Sequence, residues 1–276
     1  MNAQTFYNDL LFASFLTAAV VFVVLFFFAA PYGRHTRKGW GPAVRNKLAW
    51  IVMEAPSPLL FAACFLIGDN HSPVPLVFLG LWEAHYLHRA FIYPFSLRGN
   101  RPMPVMIIGF GFLFNLMNAY LNGHYIFTLS TQYTGSWLTD PRFIGGLTLF
   151  VAGYLINRNA DRILRSLRAP GETNYKIPQS GFYRWISCPN YLGEIMVWSG
   201  WALATWSLPG LAFAVWTVAN LAPRARSNHQ WYRKAFPDNP ANGRLCCRDC
   251  GSLFSIGWCL KVSSREIYLW RDYWLV

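Results

Sequence analysis

Charge is scarce in this chain. Only 13% of its 276 residues are Asp, Glu, Lys or Arg, about half the share an ordinary soluble domain carries, and acids are rarer still, 12 against 24 basic residues. Beside 54% hydrophobic and 18% aromatic residues, that scarcity excludes a soluble globular protein and points to an integral membrane protein. Other absences narrow the chemistry. No GxGxxG follows a strand pattern, so any dinucleotide is not held by a Rossmann loop. Cys247 and Cys250 form a CxxC, yet no second pair and no histidine follows at zinc spacing, and no metal site is expected. Cys64 and Cys188 are isolated. No inverted repeat or matching pair of broken helices argues for a transporter. The first apolar segment has no basic leading region and runs too long for a cleaved signal, so it reads as a helix.

What the chain does have is a series of apolar runs long enough to cross about 30 Å of hydrocarbon. They lie near 9–31, 48–68, 75–95, 103–128, 143–157, 190–206 and 208–222, the last two joined by a tight hairpin at Ser207-Leu208-Pro209. The fold expected is all-α with seven transmembrane helices. Lys and Arg alternate between the connecting segments: Arg34, Arg37, Lys38, Arg45 and Lys47 before the second run, Arg98 and Arg101 after the third, and six basic residues in 158–188. By contrast 69–74 has none and 129–142 only Arg142. Because cytoplasmic loops carry the excess, the N-terminus is expected outside and the C-terminus in the cytoplasm. The net charge of +12 then reads as a topology signal and not as nucleic-acid contact.

Ionisable residues at membrane depth cost roughly 2.5 to 3.5 kcal/mol, so they face a cavity or a partner. Three acids qualify: Glu54 in WIVMEAPSP, where Pro56 and Pro58 loosen the helix; Glu83 in LWEAHYLHRAF; and Glu194 in NYLGEIMVW. The third run adds His85, Tyr86, His88 and Arg89, and residues three or four apart share a helix face, which places Glu83 with Tyr86 and His85 with Arg89. A salt-bridge network that fixes packing would use the same side chains. Three acids, two histidines, a tyrosine and an arginine in consecutive helices favour a site. In apolar surroundings Glu54 would be held neutral and would donate, with a tyrosine hydroxyl, to a ketone oxygen, the pairing of donors that ketosteroid isomerase uses. Trp40, Trp137, Trp185 and Trp231 are explained by an interfacial belt. Between Asn157 and Glu194 an arginine-rich stretch, with Arg158, Arg162, Arg165 and Arg168, suits a phosphate-bearing cofactor or an anionic headgroup.

The segment LINRNADRILRSLRAPGETNYKIPQSGFYRWISCPNYLGEIMVWSGWALATWSLPGLAFAVW, with HYLHRAFIYPFSLRGNRPMP and the glutamate of the second run upstream, resembles the steroid 5-alpha-reductases in motif order and spacing over most of the chain. NYLGE alone is less specific, being shared in type with sterol reductases and membrane methyltransferases. The resemblance, read as that of a bacterial member, implies an NADPH-dependent membrane reductase acting on the 4,5 double bond of 3-oxo-4-ene steroids that enter from the lipid. It implies that Glu54 and Tyr86 hold the C3 oxygen. It assigns the cofactor to Arg89, Tyr93, Arg101, Asn157, Asp161, Arg168, Tyr175, Asn190, Glu194, Arg224, Asn228 and Tyr232. Asn228 departs from the family, standing where the animal enzymes have a histidine, with His229 adjacent. A second departure begins near Asn242, so a single reductase domain is expected over 1–240, followed over 241–276 by a cysteine-rich tail of frame-shifted or extraneous character, or else an amphipathic tail lying on the membrane. The protein is expected as a monomer among membrane lipids, in a bacterial inner membrane or the endoplasmic reticulum, with the cofactor site facing the cytoplasm. Rival readings are a methyltransferase using S-adenosylmethionine, another sterol-type double-bond reductase, and a sterol or lipid carrier.

Overall fold

Asn2 opens the first helix by accepting from the Thr5 amide at 2.7 Å, an N-cap that satisfies one otherwise unpaired donor. From it α1 (Ala3–Phe27) runs 25 residues with Asp9 its one ionisable acid, about 37 Å of helix. The computed structural model describes residues 2–31, 35, 37–98, 102–167, 169 and 176–236. Arg101, Arg168, Tyr175 and the whole tail 241–276, with its CxxC, lie outside the described residues.

Two prolines divide the second apolar run into α2 (Asn46–Glu54) and α3 (Pro56–Ile67). Pro56 and Pro58 bring no N–H, so the carbonyls of Val52 and Glu54 lose their usual donors four residues on. Ser72 precedes α4 (Pro73–Leu87), which passes into a π-helical stretch, His88–Ile92, and the short α5 (Tyr93–Ser96). Single π turns of this kind widen a helix and re-aim its side chains. The loops before α2 and before α6 (Val105–His124) are tied by a minimal antiparallel pair, β1 (Ala43–Val44) with β2 (Met103–Pro104). A second π stretch, Tyr125–Leu129, ends that unit. Asp140 caps α7 (Pro141–Ser166), accepting from the Arg142 amide at 2.8 Å. α8 (Pro189–Thr205) and α9 (Leu208–Ala235) complete the bundle. Their hairpin forms as expected at Ser207: Trp206 takes a left-handed conformation, φ 46°, and Ser207 Oγ accepts from the Gly210 amide at 3.1 Å.

The fold among the described residues is thus helical apart from one two-residue pairing, and each of the seven expected apolar segments falls on helix. Three of these units, Ala3–Phe27, Asn46–Ile67 and Val105–Leu129, are long and apolar enough to cross a membrane. Their outward faces carry bare apolar side chains such as Phe12, Phe27, Leu66 and Ile67, as lipid contact demands. Inside, Phe61 stacks on Trp82 at 4.3 Å, and Trp82 meets Trp198 and Trp201 edge-on or tilted at 5.4 and 5.1 Å. α7 and α8 approach more closely than side chains would allow, because Gly153 faces Gly193: a Cβ on Gly153 would stand 2.6 Å from the Gly193 carbonyl oxygen. That approach sets Asn157 beside Glu194.

Candidate active site

Arg89, within the π stretch after α4, reaches two of the three acids that the sequence places at membrane depth, Glu54 and Glu194. Its Nη1 lies 3.2 Å from Glu194 Oε1 and its Nε 3.5 Å from Glu54 Oε1. The guanidinium is braced by the rings of Trp50 and Tyr93, at 5.1 and 5.5 Å, a geometry favourable for a cation over an aromatic face. Glu194 is satisfied by protein alone: Asn157 Nδ2 donates to Oε1 at 3.2 Å, Trp198 Nε1 donates to Oε2 at 3.1 Å, and His85 Nε2 lies 3.6 Å from Oε2. With Arg89, three donors at 3.2 Å or less thus meet a carboxylate that offers about four acceptor directions, and His85 stands just beyond hydrogen-bond distance.

Glu54 differs. Oε2 has one long contact, 3.5 Å from Asn115 Nδ2, and Oε1 the 3.5 Å contact to Arg89. The apolar setting expected for Glu54 is therefore corrected: an arginine and an amide reach it, because the π turn swings Arg89 across and α6 supplies Asn115. Tyr86 is buried one turn before, against Trp82 and Trp198 at 5.0 and 5.5 Å, with Glu54 as an electrostatic neighbour. Glu83, expected to share that face, does not join: its Oε1 is buried with no hydrogen-bond partner among the described residues, since the packed face runs through Trp82, His85, Tyr86 and Arg89. His85 does share a face with Arg89, both meeting Glu194.

A chain of amides leads outward from Glu194. Asn157 Nδ2 also donates to the Asn190 carbonyl at 3.0 Å, and Asn190 Nδ2 to Asp161 Oδ1 at 3.4 Å. Asp161, one turn beyond the apolar part of α7, has its carboxyl pushed up to about 6 by burial, against the pull of Arg89. Around the start of α8 and the end of α9 a second cluster forms. Arg224 Nη2 donates to the Tyr191 hydroxyl at 3.3 Å and covers its ring at 5.3 Å, and Asn228 Nδ2 reaches the same hydroxyl at 3.4 Å. Tyr232 is buried here. His229 makes a contact of its own, its Nδ1 2.7 Å from Ser187 Oγ, and burial with the nearby Arg233 holds its ring below the ordinary value. Arg158, one of the arginines read as suited to a phosphate-bearing cofactor or an anionic headgroup, hydrogen-bonds the His88 ring.

Among relatives, a family model described as 3-oxo-5-alpha-steroid 4-dehydrogenase matches residues 101–246. Steroid 5-alpha-reductase DET2 of Gossypium hirsutum is 39% identical over 241 residues, 86% of this chain and 93% of the relative. 3-oxo-5-alpha-steroid 4-dehydrogenase 1 of Bos taurus is 41% identical over 229 residues, covering 80% and 88%, and 3-oxo-5-alpha-steroid 4-dehydrogenase 2 of Sus scrofa 43% over 231, covering 81% and 90%. The chain belongs to the steroid 5-alpha-reductase family. As a member it is an oxidoreductase acting on a CH–CH group, built on apolar helices that suit a membrane.

For the dinucleotide that a reductase of this family is expected to use, the residues present fit. Tyr183 Oη, Arg165 Nη1 and His229 Nε2 are buried without a hydrogen-bond partner among the described residues, unspent capacity that a polar ligand would satisfy. Tyr183 and Arg165 stand within electrostatic reach of Asp161 and Arg165 lies over the Tyr93 ring at 5.9 Å, a guanidinium and a carboxylate of the kind that hold phosphates and ribose hydroxyls. Of the residues assigned in advance, the reductase brings Glu54, Tyr86, Arg89, Tyr93, Asn157, Asp161, Asn190 and Glu194 into one neighbourhood, and sets Arg224, Asn228 and Tyr232 in the second cluster. It adds Asn115, Trp198 and Trp50. Asn115 had one available signal, an asparagine in a run otherwise fit for lipid.

Proposed function

We propose that the protein reduces the 4,5 double bond of 3-oxo-4-ene steroids, using NADPH, to give 5-alpha-reduced 3-oxosteroids. The observation that carries the reading is Arg89, which joins the Glu54 end of the site to the amide and carboxylate chain leading from Glu194. Two carboxyls share that one guanidinium, so the buried cluster is electroneutral when one of them carries a proton. Glu194 has three donors at 3.2 Å or less and Glu54 only two contacts at 3.5 Å, which puts the proton on Glu54. With Tyr86 beside it, Glu54 then donates to the C3 oxygen of a bound enone and stabilises the negative charge that develops there. Polarising that oxygen makes C5 electrophilic; C5 takes a hydride and C4 a proton. Arg89, Tyr93, Asn157, Asp161, Asn190, Glu194, Arg224, Asn228 and Tyr232, with Arg101, Arg168 and Tyr175 from the family pattern, would hold NADPH, which when bound would supply the hydride. The buried aromatic wall of Trp82, Trp198 and Phe213 keeps water from the reacting carbons.

The alternation of Lys and Arg between connecting segments supports seven crossings with the N-terminus outside, which turns the second cluster and the arginine stretch to the cytoplasm. The protein works as a monomer in a bacterial inner membrane or the endoplasmic reticulum, taking an apolar steroid with a single polar handle from the lipid. Purified protein in detergent, given testosterone or progesterone with NADPH, is expected to yield a product two hydrogens heavier by mass spectrometry, with NADH a poor donor. No turnover, together with protection by S-adenosylmethionine against thermal unfolding, would replace reduction by methyl transfer. If Glu54 donates to the carbonyl, Glu54→Gln retains part of the activity and Glu54→Leu almost none, since such acid assistance is worth about 10² to 10⁴ in rate; wild-type rates in both would remove Glu54 from the chemistry.

A further inference from the structure

Asn115 sits on α6, a helix to which neither the sequence motifs nor the family pattern assigns any site residue. It is 4% exposed, and a buried amide is costly unless its hydrogens are used. Both are: Nδ2 donates to the Met53 carbonyl at 2.8 Å and to Glu54 Oε2 at 3.5 Å. The first bond falls at the proline joint, between the carbonyls of Val52 and Glu54 that Pro56 and Pro58 deprive of donors. The second falls on the carboxyl itself. One side chain therefore grips the last turn of α2 and the acid at its end, from the side opposite Arg89.

From this geometry we infer that Asn115 is a positioning residue for Glu54: it holds the carboxyl in the rotamer that leaves one oxygen toward Arg89 and keeps the acid beside Tyr86. The inference rests on the role proposed above for Glu54. Neither Arg89 nor Tyr86 can replace it, because Arg89 is shared with Glu194 and Tyr86 is fixed in the aromatic wall. The oxygen of an aspartate at 115 would face two acceptors in place of two donors.

The test is a double-mutant cycle on steroid reduction by purified protein, with thermal midpoints measured alongside. Asn115→Leu keeps the volume and removes both donors; Asn115→Ser is the second variant should leucine fail to fold. Losing a hydrogen bond that orients an acid is expected to lower kcat about 10-fold, with the KM for NADPH unchanged, and Asn115→Asp is expected to lower it further. In a Glu54→Gln background, where a weaker donor supplies only part of the rate, the same Asn115 change is expected to cost about threefold or less. An equal 10-fold loss in both backgrounds would show that Asn115 serves the backbone joint alone, and would overturn the proposal while leaving Glu54 in its role. Wild-type activity in Glu54→Gln and Glu54→Leu would overturn both readings, and is distinguishable from the first failure by those two variants alone.

Discussion

Arg89 reaches two carboxyls at once because a guanidinium presents several N–H groups in one rigid plane, which a lysine ammonium at the same position would not reproduce. Further out, Asp161 has Asn190 as its close donor, at 3.4 Å, and burial dominates its behaviour. Its carboxyl stands near 6 in the fold against about 3.9 in an unfolded chain. Below about pH 4 the group is protonated in both states; between about 4 and 6 the folded chain keeps a proton the unfolded chain has lost; above 6 both are ionised, and the folded state bears the cost of a buried charge. Asp161 therefore favours folding at low pH and loses that contribution as pH rises through 6. The thermal midpoint of Asp161→Asn, compared with the parent in detergent, is expected to gain on the parent between pH 4.5 and 7. A difference that stays flat across that range would remove the burial account.

At the scale of elements, the site depends on how near α7 and α8 lie. Gly153 and Gly193 let their backbones touch, and a Cβ on Gly153 would meet the Gly193 carbonyl, a backbone atom that cannot swing away. Gly153→Ala is expected to cost about 1 to 3 kcal/mol through overpacking and to lower kcat as well, because Asn157 would be pushed off Glu194. Gly80→Ala is the control: nothing lies within 4 Å of the added carbon, and both stability and kcat should hold. Midpoints and initial rates of the two variants decide it. Much of this level was legible from residue order. The proline break after Glu54, the Ser207 cap and the apolar runs are local properties, and the helices follow them. The π stretch at His88–Ile92 was not legible, since HRAFI carries no local breaker, and with it went the reach of Arg89 to Glu54. Asn115 was missed for a similar reason: its partners lie 61 and 62 residues away, and helical spacing relates only residues on one helix.

Taken as a whole, the molecule divides its labour along α8. Glu194 lies near the start of that helix and Ala204 near its end, ten residues or about 15 Å apart. The start carries the candidate chemistry. At the end, the last carbonyls of the helix, which have no donor of their own, are met by three side chains from the segment before α7: Gln132 and Tyr133 donate to the Thr205 carbonyl at 3.0 and 2.8 Å, and Trp137 Nε1 to the Ala204 carbonyl at 2.9 Å. Outside them Arg142 pairs with Asp140 at 2.8 Å and lies over the rings of Trp137 and Trp206. The aromatic at 137, read from sequence as part of an interfacial belt, is thus also a cap. Trp137→Phe leaves an aromatic ring, smaller than the indole, and removes the donor to the Ala204 carbonyl, and is expected to cost about 1 to 3 kcal/mol. Asp140→Asn, at a partly exposed pair and with asparagine an equally good helix cap, is expected to change the midpoint little. In neither variant should kcat move by more than about twofold, because neither touches Arg89 or its acids. Thermal midpoints and steroid turnover on the same preparations test the division: a fall in kcat for Trp137→Phe comparable to that of Gly153→Ala would show that the two ends of α8 are coupled, and that the far cap helps set the geometry around Glu194.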